Sequence, residues 1–264
     1  ILRKNTIIEL HHDLYTESRI VSFLVKKFKF LNSKYLIKII AITHGIKKEY
    51  VKNNFTNEAK IIVLPSGSSI KRIFKFLNKK KFFKIGYFGS LYKSRGLDLI
   101  KSLAKIDKEN QYYLYGDFSK MNNFKYKNST KNLHLQDYIP YKDIPNSLDK
   151  MDILLMPYVS SITVAGNVGD ITKFTSPLKL FDYLASGKII VSSKRDGICE
   201  ILKHNYNALV VKEYQTKAWI KYLKRILDNK YNLKKIRINS IKTAKKYTWE
   251  NRVDKILLEH KSLI

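Results

Sequence analysis

A single cysteine, Cys199, occurs in the 264 residues. It excludes an intramolecular disulfide and any cysteine-based zinc site, and it fits a reducing compartment, the cytoplasm. No apolar run is long enough to span a bilayer, since "IKIIAIT" and "DILLMPY" are strand-sized, and the first residues, from Ile1, carry no secretory signal pattern. No fixed-period repeat is visible, which argues against a solenoid. Acidic residues are scarce: 22 Asp and Glu stand against 51 Lys and Arg, a formal net charge of +29. Such an excess suits nucleic acid, an anionic membrane surface or polyanionic small substrates. An arginine-rich arm and an aromatic RNA-binding motif are both absent, so nucleic acid is not the expected partner. Lysines interleave with apolar residues in "VKKFKFLNSK", "RIFKFLNKKKFFK" and "NLKKIRINSIKTAKK". That composition suits a face against anionic lipid, at the inner side of a membrane, as well as a solvated helix face.

Hydrophobic residues make up 44% of the chain, enough for one large core or two modest ones. "TIIEL" and "IKIIAIT" are strand-like, and between them Ile20, Leu24, Phe28 and Leu31 recur at helical spacing. A helix over about 45–53 and the strand in "KIIVLPSG" complete a first unit of about 70 residues, closed by Pro65 and Gly67. From Lys81 onward the alternation restarts: strands in "FFKIGYFG", "QYYLYG", "NLHLQDYI", "DILLMPY", "KIIVSS" and "ALVVK" are separated or followed by amphipathic helices. Apolar strands alternating with such helices predict a parallel sheet covered on both faces, with ligands at the carboxyl ends of its strands.

Three loops at predicted strand ends carry chemistry. "GSLYKSRG", from Gly89 to Gly96, brings glycine next to Ser90, Lys93 and Arg95, so backbone N–H groups and cations can meet a phosphate, although the spacing is neither a Walker loop nor the dinucleotide fingerprint. In "TSPLKLFDYLASGK" Ser176 is placed as N-cap, Pro177 at the first helical position and Lys179 in the first turn. A cation there opposes the helix dipole unless an anion is bound. Lys179, Asp182, Tyr183 and Ser186 fall on one face, with Leu178, Phe181, Leu184 and Ala185 on the other, and an ion pair between Lys179 and Asp182 is the competing explanation of the charges. In "ELHHD", His11 and His12 are candidates to hydrogen bond a sugar hydroxyl or to polarise a reacting centre, with at least one of them given a structural role.

Taken together, "SPLKLFDYLASGKIIVSSKRDGICEIL", "KIGYFGSLYKSRGLDLI", "YLYGD", "DYIPYKDIPNSLDKMDILLMPY", "IIVLPSGSSI" and "YTWENRVDKIL" resemble the retaining glycosyltransferases of family 4, also called group 1, which have the GT-B fold. The resemblance implies an α/β chain with two Rossmann-like parallel-sheet domains, the first incomplete. Residues 1–75 would be the C-terminal part of the acceptor-side domain, 76–247 the donor domain and 248–264 a helix crossing back. The implied reaction moves a sugar from a nucleoside diphosphate sugar to a glycan or lipid-linked acceptor hydroxyl with retention, without essential metal or cofactor, in cell-surface polysaccharide or lipopolysaccharide assembly. Arg95 and Lys93 would hold the diphosphate with Lys179, Gly89 and Ser90, and Ser176, Pro177 and Leu178 would form the helix start beside them. Asp182 would meet the ribose, the backbone from Tyr138 through Ile139 to Pro140 the base, and His11 the transferred sugar.

Two departures stand out. The first glutamate of the family's paired motif falls at Phe174, which shifts sugar recognition to the loop 164–175, and Ser90 replaces the arginine common after the first glycine. An incomplete first domain would also lack that family's N-terminal glycine-rich loop. A donor-binding fragment without turnover is therefore the alternative to an active enzyme, and a nucleic-acid-binding protein the more distant one.

Overall fold

The computed structural model describes residues 4–12, 14, 18–71, 81–91, 95–118, 130–159, 174 and 176–261. Its first sheet is parallel, in the order β1 (Thr6–Leu10), β2 (Leu36–Ala41), β3 (Ile61–Val63). Helix α1 (Arg19–Lys27) follows β1, and α2 (His44–Lys52) follows β2. Each helix starts where the side chain of Ser18 or Thr43 accepts a hydrogen bond from a first-turn N–H, that of Val21 or Ile46. The predicted helical stripe from Ile20 to Leu31 does not survive as one core face. Lys29 adopts a left-handed φ of 49° and turns the chain, so Leu31 enters the core while Ile20, Leu24 and Phe28 remain exposed.

The second sheet comprises β4 (Lys84–Phe88), β5 (Gln111–Tyr115), β6 (Leu133–Gln136), β7 (Ile153–Met156), β8 (Ile189–Ser193) and β9 (Leu209–Val211). They run parallel in the order β6-β5-β4-β7-β8-β9. Around them lie α3 (Leu97–Ile106), α4 (Ile144–Asp149), α5 (Leu178–Ser186), α6 (Asp196–Cys199), α7 (Thr216–Leu227), α8 (Leu233–Ala244) and α9 (Trp249–Lys261). Period-2 alternation divides the core between the faces of this sheet. Ile85, Ile153, Leu155 and Val191 pack with Leu103, Trp219 and Leu223 of α3 and α7. Phe88, Leu154, Met156 and Ile190 pack with Leu180, Phe181 and Leu184 of α5 on the other side. The order places β4 beside β7, the point from which successive strands are added in opposite directions. At such a switch point the connecting loops part and leave a crevice beyond the carboxyl ends of the strands.

The two sheets meet through polar contacts distant in sequence. The Glu200 carboxylate accepts hydrogen bonds from the N–H groups of His44 (2.8 Å) and Gly45 (3.0 Å), a charge-assisted cap on α2 supplied by the second sheet's side. In α9, Arg252 pairs with Glu9 at the end of β1 at 2.7 Å and donates to the carbonyl of Pro65 at 3.2 Å, while Glu259 pairs with Lys38 of β2 at 3.3 Å. Phe174 lies buried in the core of the first sheet with Ile39, Ala41 and Ile42. No helix among the described residues is long and apolar enough to cross a membrane.

Candidate active site

Between the two sheets lies a cleft of about 500 Å³. His11, His12 and Ile42 line it from the first sheet's side, and Phe88, Gly89, Ser90 and Arg95 from the loop after β4. Tyr158 follows β7 in it, Tyr141 and Ile144 stand near the start of α4, and Ser176 through Lys179 with Asp182 and Tyr183 form the α5 side. The switch point thus gathers most of the residues singled out by sequence: His11, Gly89, Ser90, Arg95, Ser176, Pro177, Leu178, Lys179 and Asp182 share one cavity. Tyr138 and Ile139 are not among its lining residues. Tyr138 is exposed, and Ile139 packs against the α5-side core. Lys93 and the loop 164–175, apart from Phe174, lie outside the described residues.

Lys179 dominates the site's electrostatics. Its Nζ is fully buried and has no hydrogen-bond partner among the described residues, and it sits 3.8 Å from the centroid of the Tyr87 ring and 6.0 Å from that of Tyr158. Burial, and then the nearby Arg95 guanidinium, push its pKa well below the ordinary lysine value. Arg95 stacks over the same Tyr158 ring at 5.3 Å. Burial raises Tyr158 to about 12 against the opposing pull of Arg95, and it raises Tyr87 too, so both phenols are neutral at physiological pH. Two cations held over neutral aromatic faces, with no carboxylate paired to either ammonium or guanidinium among the described residues, form a setting suited to an anion. The ion pair between Lys179 and Asp182 is not formed.

Helix α5 begins one residue later than its composition indicates. Pro177, at φ −71° and ψ 135°, is the N-cap, and the Ser176 hydroxyl makes no cap bond; it is buried without a partner among the described residues. Because Pro177 is extended, the helix opens at Leu178, which is exposed to the cleft side and leaves the predicted buried face. No side chain among the described residues caps the helix, so its positive end is available to an anion. Ser186 also leaves the predicted functional face: it is fully buried, donating to the Tyr183 carbonyl at 2.7 Å. Tyr183 itself is a support, its hydroxyl accepting from the Phe88 N–H at 2.9 Å and so bracing the end of β4.

Asp182 is buried, and desolvation raises its pKa while hydrogen bonds from Ser68 and Tyr141 oppose that rise. His11 stands at the rim, its Nε2 3.0 Å from Glu9, the carboxylate that also holds Arg252. Sequence reasoning missed Tyr141, Tyr158 and Ser68. The first two are aromatic residues just beyond a strand end and a turn, a signal that was available; Ser68 carried none. Gly89 is required at its place, with φ 134° and a Cβ that would fall 2.6 Å from Lys179 Nζ.

Two parallel-sheet lobes facing each other across a cation-lined cleft are the architecture of the GT-B glycosyltransferases, and solved structures of that class share it. Against Anabaena HepE (Alr3699) in complex with UDP the TM-score is 0.77 at 13% identity, over 97% of this chain and 72% of that one. A glycosyltransferase from Rickettsia africae gives 0.71 at 17% identity, over 97% and 70%. The lipopolysaccharide outer core galactosyltransferase WaaB in its apo form gives 0.64 at 16%, over 87% and 63%. At these identities the likeness establishes the fold. No curated protein matches by sequence. The family profile of the glycosyl transferases group 1 matches residues 68–246, and the chain belongs to that family.

Proposed function

We propose that this chain transfers a sugar, with retention of anomeric configuration, from a nucleoside diphosphate sugar to a hydroxyl of a glycan or lipid-linked acceptor, in cell-surface polysaccharide or lipopolysaccharide assembly. The buried ammonium of Lys179, without a hydrogen-bond partner among the described residues, at the start of α5 next to Arg95 carries the reading. A leaving diphosphate needs concentrated positive charge as the glycosidic bond breaks, and Lys179, Arg95 and the α5 terminus supply it. Asp182 receives a ribose hydroxyl, and His11 hydrogen bonds the transferred sugar from across the cleft. Residues 1–75 form the acceptor side, 76–247 the donor side and 248–264 the return helix, a division in keeping with the Arg252 to Glu9 pair. The UDP complex of HepE and the galactosyltransferase WaaB, both of the same fold, support a nucleotide donor and a surface-glycan setting. No protein cofactor is required.

Isothermal titration with UDP, GDP and ADP in the absence of metal tests this. One of the three binds, and Arg95→Ala weakens it about tenfold or more, as expected for a lost charge-assisted phosphate contact. A folded protein that binds none of them overturns the donor site.

The acceptor side also favours an anionic membrane surface. Ile20, Phe23, Phe28 and Phe30 are exposed, and no acidic residue occurs from Arg19 to Lys48, a span containing seven lysines and one arginine. Sedimentation with phosphatidylglycerol vesicles is expected to carry the protein down, while phosphatidylcholine vesicles leave it in solution and Phe23→Ser with Phe28→Ser reduces the bound fraction several-fold. Equal partition between the two lipids would remove the membrane from the account.

A further inference from the structure

The interlobe linker reaches directly into the donor site. Ser68 lies on that linker, 114 residues from Asp182 in sequence, and its hydroxyl donates to Asp182 Oδ1 at 2.6 Å. The same Oγ accepts from the Ile70 N–H at 3.0 Å, so two bonds fix its rotamer. Its backbone is anchored as well: Ser68 N–H donates to the Tyr247 carbonyl at 3.0 Å, and Ser68 bridges Thr248 where the chain turns back toward the first sheet. Tyr141 donates to Asp182 Oδ1 at 3.0 Å. Both donors therefore fall on one carboxylate oxygen, and Oδ2 is without a donor among the described residues.

From this geometry we infer that Ser68 is a positioning residue for the donor: it orients the Asp182 carboxylate so that Oδ2 faces a ribose hydroxyl, and it ties that orientation to the crossing of the linker with the C-terminal segment. The inference rests on the donor reading given above. Aspartate has a short, two-torsion side chain, and a buried carboxylate unsupported by donors rotates or protonates, either of which spoils its use as an acceptor for a sugar hydroxyl. Ser68 prevents both. Because the linker supplies the donor, the ribose contact is assembled only when the two lobes hold their present relation at Ser68 and Thr248.

Affinity for the diphosphate that binds best, and for its 2′-deoxy and 2′,3′-dideoxy analogues, tests the role in the wild type, Ser68→Ala and Ser68→Thr. The wild type prefers the ribonucleotide. Ser68→Ala loses about tenfold on the ribonucleotide and about twofold or less on the dideoxy analogue, so the preference collapses, while Ser68→Thr, which keeps the hydroxyl, retains it. Equal losses on all three nucleotides would mark a merely structural serine and overturn the inference. Should the wild type bind no nucleotide, the donor reading fails first, and the positioning role is then read from the Asp182 carboxyl by carbon NMR titration. Ser68→Ala raises its midpoint, against a background in which Tyr141, Tyr158 and Tyr183 stay neutral and Lys179, Arg95, His11 and His12 are the other charged or titratable groups lining the cleft. An unchanged midpoint in a folded Ser68→Ala protein overturns the role independently of nucleotide binding.

Discussion

Lys179→Met is expected to lower nucleoside diphosphate affinity about a hundredfold and, at the same time, to raise the thermal midpoint of the unliganded protein by a few degrees. The two effects have opposite signs for one reason. Without ligand, the ammonium is buried over Tyr87 with no acceptor among the described residues, a costly arrangement that an apolar side chain of similar volume relieves. With a diphosphate present, the same ammonium makes a desolvated charge pair, and removing one partner of such a pair costs roughly 2–5 kcal/mol.

The pH dependence follows from the same residue. Burial and Arg95 depress its pKa in the free protein below the ordinary 10.5. Within the window between the depressed value and 10.5 the unfolded chain binds more protons than the folded one, so the stability of the free protein rises with pH there. A bound phosphate raises the lysine pKa again, so binding takes up protons and weakens as pH climbs through that window. Calorimetry in buffers of differing ionisation enthalpy reads the proton uptake directly. Retention of affinity within threefold in Lys179→Met would show that the diphosphate does not use this residue.

Gly96→Ala is expected to cost about 3–5 kcal/mol of folding stability, read as a lower urea midpoint. Gly96 caps α3 with φ +77°, which for an L-residue costs roughly 1–2 kcal/mol. More severe is the position of the new methyl group, 1.7 Å from the Pro157 carbonyl oxygen and 2.7 Å from its carbon. Those are backbone atoms at the end of β7 and cannot swing aside, so α3 or the 157–158 segment must move, an overpacking strain of about 1–3 kcal/mol or more. Arg95 precedes Gly96 and Tyr158 follows Pro157, so the same movement separates the guanidinium from its stacking ring and weakens nucleotide binding beyond the loss of stability. A midpoint change equivalent to less than about 1 kcal/mol would mean that the turn relaxes freely.

Both substitutions lie in stretches whose importance is legible in the sequence alone. The strands and helices of the second sheet follow from patterns with periods of 2 and 3.6 residues, and a local pattern determines local structure when tertiary packing reinforces it. "KIIVSS" became β8 and "GLDLIKSLAKI" became α3 because every residue of the first is buried and one face of the second enters the core. The helix of Ile20 to Leu31 shows the limit of such patterns. Its spacing is helical throughout, yet Lys29 breaks it, so Ile20, Leu24 and Phe28 stay outside while Leu31 enters the core, since nothing in the spacing says what, if anything, lies against a face.

By itself, the order of residues determined the alternating α/β plan, the cationic helix start at Lys179 and the glycine-bearing turn from Gly89 to Gly96. Each is written within a few neighbouring positions. Only the tertiary structure decided that Lys179 is buried without a hydrogen-bond partner among the described residues, and it alone set two contacts: Asp182 held by Ser68 rather than by Lys179, and α2 capped by Glu200. These contacts join residues more than a hundred positions apart, and they exist because the packing of two sheets around one cleft sets the distance between them.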